Sequence, residues 1–146
     1  MRVVKARFLV LAAVLALVPT GCGGNSEDAY CAALKSDQTI FADDGTGVAL
    51  ITNLPRLEAL AARAPDDLDD EWQTFTTALE SLRDAIKAAG LKPSDFVDGK
   101  PPAGTTAAAR TAIAQAANEL SDDDVVTAAS GIEQQAKDVC KLQLGL

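Results

Sequence analysis

Residues 65–90 read PDDLDDEWQTFTTALESLRDAIKAAG. The apolar positions are Leu68, Trp72, Phe75, Leu79, Leu82, Ile86 and Ala89, at spacings of 4, 3, 4, 3, 4 and 3. A helix turns every ~3.6 residues, so these side chains fall on a single seam. Pro65 and Asp66-Asp67 suit a helix start and Gly90 a helix stop. The pattern predicts a helix over 67–89 that is packed along its whole length.

Four further segments repeat the period. Residues 122–142 carry Val125, Ala129, Ile132, Ala136 and Val139, with Ser121 as the expected N-cap and Asp122 to Asp124 in the first turn. Residues 105–120 give a weaker seam of Thr106, Ala109, Ile113, Ala116 and Leu120. Ser26 is placed to cap a helix over 27–42 that carries Tyr30, Leu34 and Phe41. Residues 48–63 hold Ile51, Leu54, Leu57 and Ala61 in phase, with Ala64 just beyond, and Pro55 must kink, break or restart that segment. No stretch alternates with period two as a strand would, and no tight turn joins two β-like runs. The expected fold class is all-α, an antiparallel bundle of four to five helices over residues 27–146.

Composition agrees. The chain has 146 residues, enough for one domain, and 48% of them are hydrophobic. Much of that share is alanine, and beyond the first 21 residues the aromatics are Tyr30, Phe41, Trp72, Phe75 and Phe96. Alanine favours closely packed helices over a β-sandwich.

The N-terminus has the parts of an export signal. Arg2, Lys5 and Arg7 form a basic start, and Phe8 to Val18 is an apolar run of 11 residues. A bilayer span needs about 20 residues, so the run is too short to cross one. Pro19-Thr20-Gly21 then leads into Cys22. A small residue directly before a cysteine, after such a run, resembles the lipobox of bacterial lipoproteins, although Pro19 stands where leucine is usual. The resemblance implies cleavage before Cys22, diacylglycerol on its thiol, and a protein tethered to the outer face of the cell membrane. Residues 1–21 are then signal peptide, and residues 22–26 are the lipidated cysteine and a short flexible tether. Loss of residues 1–21 leaves 10 basic against 21 acidic residues, a net charge of −11. Such a surface repels nucleic acid and anionic headgroups.

With Cys22 assigned to lipid, Cys31 and Cys140 remain, and two cysteines in an exported chain are expected to pair. Closing a loop of about 110 residues stabilises a fold by about 4 kcal/mol on the chain-entropy view. A redox role is disfavoured, because the chain has no C-x-x-C spacing and no histidine. The pair also constrains topology. If five helices simply alternated up and down, the first and last would be parallel. Cys31 and Cys140 would then lie roughly a helix length apart, about 31 Å for 21 residues. A disulfide requires Cα atoms within about 7 Å. Either the Pro- and Gly-rich residues 91–104 cross the length of the bundle, or 48–63 divides into two half-length pieces around Pro55. Because only nine positions separate Cys22 from Cys31, the stapled end should face the membrane, with the loop at 43–47 pointing away as the first candidate binding surface.

Candidate chemistry is sparse. Beyond the leader the chain has neither histidine nor methionine, and both remaining thiols are assigned to the bridge. Zinc, copper and haem sites, like histidine-based nucleophile pairs, therefore lack their residues, and no cofactor is expected. A carboxylate pair remains conceivable. The acids Asp66, Asp67, Asp69, Asp70 and Glu71, and Asp122 to Asp124, however, sit where helix starts favour negative charge. Asp43-Asp44-Gly45-Thr46-Gly47 has a faint likeness to a calcium loop but lacks its alternating ligands and closing glutamate; a plain turn explains it. Trp72 and Phe75 lie on the best seam and read as core, and Tyr30 as packing at the stapled end. Lys92, Lys100 and the nearby prolines fit either a docking loop or a solvated connection.

The lipobox, Tyr30-Cys31-Ala32-Ala33-Leu34, Ala64-Pro65-Asp66-Asp67-Leu68 with Trp72 after it, and the closing Val139-Cys140 together look like small uncharacterised actinobacterial lipoproteins. That likeness implies a secreted helical domain and supplies no catalytic residues. The leading expectation is a non-enzymatic interaction or accessory domain with a partner in the cell envelope. The alternative is a module that binds a small apolar ligand between its helices, in a cavity lined by Trp72, Phe75 and Ile113.

Overall fold

A computed structural model of the chain describes residues 27–42 and 47–146. Six helices form among them: α1 (Glu27–Asp37), α2 (Val48–Thr52), α3 (Leu54–Ala61), α4 (Asp69–Ala88), α5 (Ala107–Glu119) and α6 (Asp123–Asp138). Short 3-10 turns at Gln38–Ile40, Asp66–Leu68 and Pro93–Asp95 tighten the connections. No strand is present among the described residues, only an isolated antiparallel bridge between Val97 and Lys100. The fold is all-α. The leader, Cys22 and the Ser26 cap lie outside the described residues, as do residues 43–46 of the acidic turn.

Helix α4 is the hub. Of its seam, Leu68, Trp72, Phe75, Leu79, Leu82 and Ile86 are buried, and Ala89 is half-buried against the same core. Each large apolar side chain so buried contributes roughly 1.5–3 kcal/mol. Helices α2, α3, α5 and α6 all pack on α4. Helix α1 packs on α3 and turns Tyr30 and Leu34 inward, both fully buried.

Trp72 organises the stapled end. Its Nε1–H donates to the Tyr30 hydroxyl at 2.9 Å. The two rings meet edge-on, with centroids 6.5 Å apart and planes at 89°, and Trp72 meets Phe75 similarly at 6.4 Å. Burial pushes the Tyr30 phenol up to about 12, only partly offset by the bond from Trp72. A raised phenol stabilises the fold fully below the ordinary tyrosine value and loses that stabilisation as pH rises toward 12, on the order of 2 kcal/mol in all. Tyr30 is the only tyrosine in the chain. Its ultraviolet titration is expected to show a midpoint near 12 in the folded protein and near 10 in denaturant; coincident midpoints would place the ring at the surface.

Residues 48–63 divide as proline requires. Helix α2 ends after Thr52, and Pro55 occupies the first turn of α3, where its missing N–H costs nothing. Asn53 joins the two pieces: its side chain donates to the Ala49 carbonyl at 2.9 Å, and its own carbonyl accepts from Arg56 N–H at 2.8 Å. Helix α1 is shorter than the 27–42 its periodicity suggests. After Asp37 the chain tightens into the 3-10 turn, which still delivers Ile40 and Phe41 to the core.

The long-crossover expectation for 91–104 is overturned. Ala88 and Ala89, at the end of α4, border one depression with Thr105, Thr106 and Ala109, at the start of α5. The connection therefore links near ends of adjacent antiparallel helices. It folds on itself through the Pro93–Asp95 turn and a tight turn with Asp98 and Gly99 at φ 50° and 70°. Such left-handed pairs favour Asp-Gly. Thr106 then caps α5 by accepting from Ala109 N–H.

What returns the chain to Cys31 is the succession of α5 and α6. Ile113 of α5 lines a small cavity with Leu82 and Ile86, in the second half of α4. Val125 of α6 sits by Phe75 and Leu79, and further along α6 a Cβ placed on Gly131 would lie 3.1 Å from Glu71. The two helices thus cover α4 one after the other in the same reverse sense, making a single pass between them. The number of passes becomes even, and Cys31 and Cys140 meet in a disulfide with Cα atoms 5.1 Å apart.

The end of α6 also departs from expectation. It begins at Asp123 with Asp122, not Ser121, in the capping position, and it stops at Asp138 rather than 142. Val139, read as seam, is 38% exposed, while Ala128 and Glu133 are buried in its stead. Lys141 adopts φ 58°, and Leu142 N–H reaches back to the Ala136 carbonyl at 2.9 Å. This left-handed stop ends the helix and sends the last residues back along α1.

Candidate binding groove

The C-terminal tail is held by one buried acid. Glu133 Oε2 accepts from both Leu144 N–H and Gly145 N–H at 2.9 Å, while its Oε1 takes the Lys137 ammonium at 2.9 Å. Gln38 donates to the Gln143 carbonyl at 2.8 Å, and Leu144 is buried. Burial pushes the Glu133 carboxyl up, but Lys137 and the backbone N–H groups of Gly145, Leu144 and Leu146 outweigh it, so the group sits below its ordinary value. A depressed carboxyl holds the tail fully above the ordinary carboxylate range and lets it go as pH falls through the depressed value. Glu133→Ala is expected to speed amide exchange at Leu144 and Gly145 by roughly tenfold or more at neutral pH, since both donors, that of Leu144 buried, lose their acceptor. Unchanged exchange rates would show that the tail is held by Leu144 alone.

So positioned, the tail forms one wall of an apolar groove of about 450 Å³. Phe75 and Leu79 of α4 make its floor, Val125, Val126 and Ala129 of α6 one side, and Phe41, Leu50 and Leu146 the other. Val126 is 51% exposed at the lip. Beside it lies a second, polar depression of about 710 Å³, which shares Val125 and includes Asp70, Glu119, Asp122 and Asp124. No lysine or arginine lines either hollow.

Trp72, Phe75 and Ile113, which the ligand-binding alternative places around one cavity, do not come together. Trp72 is only 1% exposed and packed by Tyr30, Phe75 faces the groove, and Ile113 lines a separate hollow of about 100 Å³ with Phe96. The acids read as helix starts do occupy first turns, Asp69 to Glu71 in α4 and Asp123 and Asp124 in α6. The antiparallel passage of those helices also brings Asp70 and Asp124 to one depression, a juxtaposition their sequence separation conceals. Among the described residues no group of three or more Cys, Asp or Glu is arranged to hold a metal ion. Lys92 and Lys100 are both exposed on the connection between α4 and α5, with Val97 71% exposed between them. No helix among the described residues is long and apolar enough to cross a membrane. Compared with protein-family models, curated proteins and solved structures, the chain finds no match.

Proposed function

We propose that this chain is an exported lipoprotein, cut before Cys22, acylated on that residue, and held at the outer face of the cell membrane as a non-enzymatic interaction or accessory domain. The carrying observation is the division of labour among three cysteines. Cys31 and Cys140 meet in a disulfide, which persists in oxidising compartments, and this leaves Cys22 single behind an apolar leader. Glu27 begins α1 five residues after Cys22, a reach of at most about 18 Å, so an anchored domain would ride close to the bilayer. The likeness to small actinobacterial lipoproteins points the same way.

An interaction role is favoured by where apolar surface remains uncovered. The core at Trp72 is filled, and an apolar hollow of about 450 Å³ opens outward beside Val126. A small apolar ligand lying in the same groove is the second reading, supported by its volume of about 450 Å³. The test is expression in a lipoprotein-processing bacterium followed by membrane fractionation and intact mass. The expected product starts at Cys22 and carries diacylglycerol; a cytosolic product with residues 1–21 attached would end the reading.

A further inference from the structure

Resting on the docking role just given, we propose that the groove receives a positively charged amphipathic segment of a partner protein. Its apolar side chains would lie between Phe75, Val126 and Leu146, and its lysines or arginines over the neighbouring acids. Shape is the first argument. An open-sided groove buries one face of an occupant and leaves the other in water, which suits an amphipathic segment better than a wholly apolar molecule. Preorganisation is the second. The tail that forms one wall has its Leu144 and Gly145 N–H groups satisfied by Glu133, so the groove exists before any partner arrives and little ordering remains to be done on binding.

Charge selects the occupant. The polar depression that shares Val125 with the groove presents Asp70, Glu119, Asp122 and Asp124, and neither hollow is lined by a basic residue. Apolar and acidic surfaces therefore adjoin across a single side chain. A second copy of this chain, with a net charge of −8 that becomes −11 once residues 1–21 are cut away, is repelled from such a rim, and so is an anionic bilayer. A cationic segment is drawn to it and oriented by it.

The full chain is used as cells deliver it, in zwitterionic nanodiscs if acylated, with empty discs as the blank. Three synthetic helical peptides are compared: leucine face with lysines, the same leucine face with glutamates, and lysines with serine replacing leucine. Fluorescence anisotropy is expected to show the leucine–lysine peptide binding at least about tenfold tighter than either control. Val126→Lys, an exposed change that leaves the core untouched, is expected to weaken it by about tenfold. Raising salt from about 0.05 M to about 0.5 M weakens it too, since the rim is solvent-exposed. An unshifted Tyr30 titration checks that the variant is folded. Equal binding of all three peptides, no binding, or binding indifferent to Val126→Lys overturns the proposal. A neutral apolar dye that binds the groove and resists displacement by the leucine–lysine peptide overturns it in favour of the small-ligand reading. Recovery without lipid removes the anchor alone and leaves this comparison standing.

Discussion

Replacing Cys31 and Cys140 together by alanine is expected to lower the stability of the domain by about 4 kcal/mol and its melting temperature by roughly 15 °C. The bridge spans a sequence separation of 109, so it removes more freedom from the unfolded chain than a short loop would. Domains of this size have total stabilities of about 5–15 kcal/mol, and such a loss is a large share. The bridge also fixes the point where the chain leaves α6 and turns along α1. Reduction should therefore loosen the tail before the rest, seen as faster exchange at Leu144 than at Leu79. A double variant that melts within a few degrees of the parent would show that the packing on α4 suffices without the bridge.

Trp72→Ala is expected to cost a comparable amount, about 3–5 kcal/mol, for a different reason. Trp72 is among the largest fully buried side chains and touches both Tyr30 and Phe75. Removing it leaves a cavity where α1 meets α4 and takes from the Tyr30 hydroxyl its hydrogen-bond donor. Trp72→Phe fills most of the space and restores no donor, so an intermediate loss of about 1–2 kcal/mol is expected. Urea unfolding followed by circular dichroism separates the three proteins. If alanine and phenylalanine proved equally mild, the ring would not be core, and the Tyr30 titration would fall toward its ordinary value with it.

Both effects were foreshadowed in the sequence to different degrees. The seam of α4 is legible because seven positions keep one helical phase without interruption, and the burial of Tyr30 and Leu34 follows from the same rule, while Phe41 reaches the core through the 3-10 turn after α1. The cysteine pairing follows from counting, and the division of 48–63 from the chemistry of Pro55. Topology was less legible. Periodicity says that α5 and α6 exist, but not that they share one pass, because that depends on where each alights on α4. The constraint from Cys31 and Cys140 holds, and of the two routes offered to satisfy it the division of 48–63 around Pro55 is present while the crossover through 91–104 is not.

The tail and the groove were hidden for two further reasons. Leu142, Leu144 and Leu146 alternate over too few residues to signal an element, and what orders them is Glu133 on the preceding helix. Phe75, Leu79 and Val125 read as ordinary seam positions and are buried as such, and their spacing does not tell that they also border a groove. Only the packed chain reveals that Phe75 and Leu79, themselves buried, form the floor of a groove between α6 and Phe41. The adjoining acids illustrate the same limit, being helix-start residues in sequence and a shared rim in space.

Peptide mapping of the protein under non-reducing conditions, after blocking free thiols as it leaves the cell, bears most directly on the account. The expected map contains one linked pair of peptides, carrying Cys31 and Cys140, with Cys22 in neither. Alkylation of both Cys31 and Cys140, or a link from Cys22 to either, would contradict the stapled bundle and the address together.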